Sequence, residues 1–186
     1  EQLAVQSDGS TDNTVKEFRD DKLALELKKS PEDQNFPLYV AEIEEDKFYI
    51  VPIRGNGLWN AIFGYISIKE DLNTVKGVVF DHVGETAGLG AEITQDWFKE
   101  RFVDEKLFDS DYNLMGIKVS KTNNDPSNLD KSDHEVDFIS GATITCDGVT
   151  DMITERMNHY IPYFKSIKES ETALAFSMSN IDSNIN

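Results

Sequence analysis

The sequence predicts an α+β fold, an antiparallel β-sheet meander with flanking helices. Three observations carry that expectation. Between residues 37 and 83, short apolar segments alternate with tight polar turns, the pattern of strands joined by hairpins. Helical spacing occurs in separate blocks around them, so βαβ alternation is weak. A chain of 186 residues with 39% hydrophobic and 10% aromatic residues has the composition and length for one buried core.

Residues 1–13 are polar, rich in Ser, Asp, Asn and Thr, and read as a mobile tail. Helical spacing over 14–29, with Val15, Phe18, Leu23, Leu25 and Leu27, ends at Ser30-Pro31. Strands are predicted at 37–43 and 48–53, around the turn Glu44-Glu45-Asp46-Lys47. A third covers 60–69, Asp71-Leu72-Asn73 turns the chain, and a fourth covers 75–83. The spacing predicts a helix over 94–106, with Thr94 at its N-cap and Trp97, Phe98, Phe102 and Val103 on one face. A strand at 114–119, a polar loop at 121–133 and a short strand at 136–139 follow. From Cys146 the spacing of Val149, Met152, Ile153, Met157 and Tyr160 is helical until Pro162, and 177–186 is a second polar tail. The expected organisation is therefore one domain over 14–176 between two flexible tails.

Charge removes several classes of function. With 35 acidic and 18 basic residues the formal net charge is −17, so nucleic-acid phosphates and anionic lipid surfaces repel the chain. Neither nucleic acid nor lipid is an expected partner. The single cysteine, Cys146, allows no intrachain disulfide and no CxxC pair. His82, His134 and His159 lie in different elements without ligand-like spacing, so no metal site is expected. No apolar run is long enough to span a bilayer.

The segment 137–149 reads as a strand, a small-residue turn and a helix start. Gly141 lets the backbone turn sharply, Ala142 keeps the approach narrow, and Ser140, Thr143 and Thr145 supply hydroxyls. Thr145 can cap the helix, and a helix N-terminus suits phosphate. On spacing alone the segment is an ordinary N-cap after a strand. It is not a nucleophile elbow, because Gly-x-Ser-x-Gly is absent. Gly88-Leu89-Gly90 allows a close backbone approach to a flat ring, or forms a simple turn. Glu85 and Thr86 either meet a ring edge or brace their loop. Trp59 reads as a core anchor or cleft wall, Trp97 as core and Cys146 as a buried thiol.

Asp137 to Thr145 resembles the SGAT flavinylation motif of the FMN-binding domain family. That family includes the B and C subunits of the sodium-pumping NADH:quinone oxidoreductase and the G subunit of the related Rnf complex. Gly55-Asn56-Gly57-Leu58-Trp59 is similar to the GxGLW segment of the C-subunit branch. Gly84-Glu85-Thr86-Ala87-Gly88-Leu89-Gly90 is similar to its GETPGLG loop, with Ala87 in place of the usual proline. Cys146 stands where a serine is common.

The resemblance implies an FMN-binding domain fold with FMN joined to Thr143 through a phosphoester bond. It implies cofactor contacts from Ser140, Gly141, Ala142, Thr145, Glu85, Thr86, Gly88, Leu89, Gly90 and Trp59. It further implies an electron carrier without substrate turnover of its own, inside a membrane NADH:quinone oxidoreductase. The expected partners are the other subunits and, during maturation, a flavin transferase. A transmembrane helix upstream of residue 1 and an extracytoplasmic position complete the expectation. Two other classes stay open: a flavin-free binding module of the same fold, and a hydrolase using Ser140 or Thr143.

Overall fold

The computed structural model describes residues 1–12, 14, 23, 25, 26, 28–30, 33–123, 125 and 127–182. Its centre is a five-stranded antiparallel sheet in the order β1-β2-β3-β4-β5. The strands are β1 (Gln2–Val5), β2 (Phe36–Ile43), β3 (Asp46–Asn56), β4 (Ala61–Lys69) and β5 (Val75–His82). The period-2 pattern fixes which face is covered. Val51, Ile66 and Val78 stand in neighbouring registered positions and point to one side, where all three are buried. Tyr65 and Val79 point to the other side and are exposed. One face carries the core and the other meets solvent, as an antiparallel sheet allows.

Two helices close the covered face, α2 (Thr143–Asn158) and α3 (Ile161–Asp182), together with short turns of helix at Gly90–Thr94, α1 (Asp96–Lys99) and Glu100–Phe102. Val149, Met152, Ile153 and Met157 of α2 are buried. Tyr160 is fully buried and its hydroxyl donates to Pro37 O at 2.6 Å, joining the α2–α3 junction to β2. Phe80 packs against Phe98 and Phe102, which places the short helices under β5. A second, two-stranded sheet pairs β6 (Lys118–Ser120) in parallel with β7 (Glu135–Asp137).

The four predicted strands of the meander are present with nearly the expected bounds. Other elements differ. Residues 2–5 are not a tail: Leu3 pairs with Leu38 and Val5 with Phe36, and Val5 is fully buried. Four residues among polar neighbours give too short a pattern to signal a strand. Most of the helix expected over 14–29 lies outside the described residues; Leu23 is buried. The helix expected over 94–106 is reduced to two short pieces, Asp96–Lys99 and Glu100–Phe102. Thr94 is not its cap, since its hydroxyl donates back to Ala91 O at 2.9 Å and Gln95 holds the N-cap position of α1. Of its predicted face, Phe98 and Phe102 are fully buried while Trp97 is 43% exposed, so Trp97 is not core. The strand expected over 114–119 shrinks to β6. Helix α3 continues to Asp182, through most of the expected second tail.

Candidate functional site

Three connections meet at one end of the sheet: the β3–β4 turn over 57–60, the loop after β5 over 83–90, and the β7–α2 turn over 138–142. Glycines let the backbones approach. A Cβ on Gly55 would lie 2.8 Å from Met152 Cβ, and one on Gly148 would strike Asn56 O. The second and third turns of α2 therefore lie directly on the end of β3.

Glu85 ties the connections together. The residue is 7% exposed; Oε2 accepts from Thr145 Oγ1 at 2.6 Å and Oε1 accepts from Trp59 N at 3.0 Å. The amides of Leu58 and Asn60 also point to it, and its own N–H donates to His82 Nδ1 at 3.2 Å. Burial pulls the acid upward, but the hydrogen bonds from Thr145 and the 58–60 amides outweigh it and hold the carboxyl below its usual range. Two motif glycines make room: a Cβ on Gly57 would sit 2.6 Å from Oε1, and one on Gly90 would collide with Oε2 and Thr145 Oγ1. Glu85 thus braces its loop.

The turn before α2 is shaped by Gly141, at φ +79°, where a Cβ would meet Leu89 Cδ2 at 2.8 Å. Ala142 N donates to Ile139 O at 3.0 Å, and the first helical bond runs from Cys146 N to Ala142 O at 2.9 Å. Ala142 holds the N-cap position and offers no side-chain cap, so the amides of Thr143, Ile144 and Thr145 lie at an uncapped helix start. Thr145 is not the cap that the sequence suggested; it is buried inside the first turn, with its hydroxyl given to Glu85. Cys146 is buried, Ile139 N donates to its Sγ at 3.4 Å, and burial pushes the thiol pKa up.

Between the turn and the loop lies a cleft of about 180 Å³. Glu85, Thr86, Leu89 and Gly90 form one wall, and Gly141, Ala142, Thr143 and Thr145 the other. Leu58 and Ile144 also line it, at 47% and 55% exposure. Neither was expected from the sequence; Leu58 had a signal, its place inside the Gly55–Trp59 stretch. Thr143 is half-buried, and among the described residues its hydroxyl makes no hydrogen bond. Ser140 and Gly88 are exposed and do not line the cleft. Trp59 is not a core anchor: it is 68% exposed and its indole Nε1 donates to Thr86 Oγ1 at 3.2 Å, beside the cleft. Thr143 also borders a second cavity of about 310 Å³, with Lys118, Lys121 and Asp147 on its rim, which no sequence pattern announced.

The profile of the FMN-binding domain family matches residues 57–158, which hold every cleft-lining residue. The chain belongs to the FMN-binding domain family. Within that family it is similar to the C subunit of the Na(+)-translocating NADH-quinone reductase. The Neisseria meningitidis protein of that name is 36% identical over 137 residues, covering 72% of this chain and 51% of that protein. The Vibrio anguillarum one is 43% identical over 100 residues, 54% of this chain and 37% of that protein. The chain thus spans about half the length, or less, of these curated relatives. A crystal structure of the C subunit from Parabacteroides distasonis superposes with a TM-score of 0.71 at 32% identity, covering 88% of this chain and 76% of that one. NqrC of Shewanella oneidensis shares the fold, with a TM-score of 0.69 at 24% identity, covering 91% and 84%. The α+β fold with its antiparallel five-stranded sheet is that of these structures.

The residues present fit a flavin mononucleotide. The apolar side chains of Leu58, Leu89 and Ile144 suit a flat ring, and an uncapped helix start beside a free hydroxyl suits its phosphate.

Proposed function

We propose that this domain is the FMN-carrying electron-transfer subunit of a membrane NADH:quinone oxidoreductase, with FMN joined to Thr143 by a phosphoester bond. The observation that carries the reading is the cleft itself, which gathers all three motif segments around the Thr143 hydroxyl, unengaged among the described residues, at an uncapped helix N-terminus. Bound there, FMN supplies the electron chemistry, and the protein supplies position and electrostatics. Leu58, Leu89 and Ile144 offer apolar contact to the ring. Thr143 holds the phosphate, the amides at the start of α2 face its charge, and Glu85 keeps the walls in register.

The size of the cleft favours a covalent tether. A volume of about 180 Å³ is below the roughly 300 Å³ at which pockets enclose drug-sized ligands, so the group is only partly enclosed. A carrier that docks repeatedly keeps such a cofactor through a bond rather than through burial. A domain of net charge −17 has no electrostatic hold on an anionic membrane. Among the described residues no helix is long and apolar enough to cross one. Its place beside the other subunits, on the extracytoplasmic side of a bacterial inner membrane, is part of the proposal and rests on the family resemblance.

Coexpression with a flavin transferase tests the assignment. The chain is expected to gain the mass of FMN less one water and to fluoresce on a denaturing gel, and Thr143→Ala is expected to lose both. Because Thr143 makes no side-chain hydrogen bond, that variant should keep its stability within about 0.5 kcal/mol. Fluorescence that survives Thr143→Ala and disappears in Thr145→Ala would move the attachment to the other threonine.

A further inference from the structure

Glu85 is unusual among the acidic residues of this chain. It is 7% exposed, and among the described residues no cationic side chain pairs with it. Its partners are dipoles: the Thr145 hydroxyl at 2.6 Å, the Trp59 amide at 3.0 Å, and the amides of Leu58 and Asn60. Those bonds come from two segments that do not otherwise share a strand or a helix, the β3–β4 turn and the first turn of α2. Both segments contribute to the cleft, through Leu58 on one and Thr143, Ile144 and Thr145 on the other.

Two consequences follow from that arrangement. Removing the carboxylate would leave the 58–60 turn and the α2 start without their shared acceptor, so the cleft would lose its fixed width. The hydrogen bonds also favour the charged form, so a negative charge without a counter-ion stands in the cleft wall. Such a charge opposes any further negative charge placed beside it in a partly desolvated site.

We propose that Glu85 is the positioning residue of the cleft: it holds the Leu58–Trp59 turn and Thr145 in register, and its carboxylate lowers the reduction potential of the flavin that the cleft receives. The second half rests on the FMN assignment above; the first does not. The substitutions Glu85→Gln and Glu85→Asp separate charge from geometry. The Gln side chain keeps the length and loses the charge, while Asp keeps the charge on a shorter arm.

The first readout is amide hydrogen exchange in the chain without flavin. Glu85→Asp, whose shorter arm withdraws the acceptor, is expected to raise exchange at Leu58, Trp59 and Asn60 about tenfold or more, the size of one lost hydrogen bond, while Val51 inside β3 is unchanged. The second is the midpoint potential of the flavin-loaded chain, titrated with dithionite. Glu85→Gln is expected to shift it upward, and Glu85→Asp to leave it near that of the unsubstituted chain. Unchanged exchange at 58–60 in Glu85→Asp would overturn the positioning role. A potential that moves equally in both variants, or in neither, would overturn the role of the charge. Should Glu85→Asp not fold, Thr145→Val, which removes the other end of the Thr145–Glu85 bond, is expected to raise exchange at 58–60, and retained protection there would count against the proposal. An unsubstituted chain that takes up no FMN defeats the proposed function, and the exchange measurement alone then decides on Glu85.

Discussion

Gly90→Ala is the smallest change that should loosen the cleft. The added methyl would collide with Glu85 Oε2 and Thr145 Oγ1, the two ends of one hydrogen bond. Overpacking at a tight position costs about 1–3 kcal/mol. Losing a hydrogen bond to a charged group costs about 1.5–3 kcal/mol, and the two penalties overlap because one displacement relieves both. A total of about 3 kcal/mol is expected. For a chain of this size each kcal/mol moves the midpoint by about 2–4 °C, so the melting temperature should fall by about 6–12 °C. Calorimetry or circular dichroism melts measure this directly. Gly77→Ala is the control, since a Cβ on Gly77 meets nothing within 4 Å. If Gly90→Ala melts with the Gly77→Ala control, the contact between Gly90 and the Glu85–Thr145 pair is not tight and the reasoning fails.

Two further expectations concern buried titratable groups. Glu105 is fully buried; Oε1 accepts from Asn128 and Lys131 at 3.0 and 3.3 Å, Oε2 has no partner among the described residues, and burial raises its pKa to about 7. A raised carboxyl binds its proton more tightly in the folded state, so its contribution to stability is present at low pH. It is lost as pH rises from about 4.5 to about 7. Denaturant titrations should show that Glu105→Gln flattens this loss and is more stable than the parent above pH 7; an unchanged pH profile would argue against the raised value. Cys146, buried and with its thiol pKa raised, should react with a thiol-specific disulfide reagent only after unfolding, and rapid labelling of the native chain would contradict its burial.

The meander was legible because alternation is a local signal. Ile62, Ile66 and Ile68 announce their strand without reference to any other part of the chain. The site was legible in its members and not in its wiring. Sequence alone could place Glu85, Gly57, Gly90 and Thr145 in motifs, but the hydrogen bond from Thr145 to Glu85 spans 60 positions. No periodicity reports a contact of that separation. The same limit explains the tryptophans: a large indole reads as core, and only the surrounding packing shows that Trp59 and Trp97 stay at the surface. It also explains Thr145, whose residue type suits a cap and whose hydroxyl a distant carboxylate claims.

The order of strands has a mechanical consequence. The N-terminal strand β1 forms one edge of the sheet, registered on β2 from Gln2↔Tyr39 to Val5↔Phe36, while the turn that reaches Glu85 leaves the sheet from β3. A pull on residue 1 is therefore borne first by the β1–β2 ladder. Along the sheet it crosses β2 before it reaches the end of β3 at Asn56. Within the sheet, β2 thus stands between the outer edge and the end of β3, on which the helix that begins at Thr143 is packed.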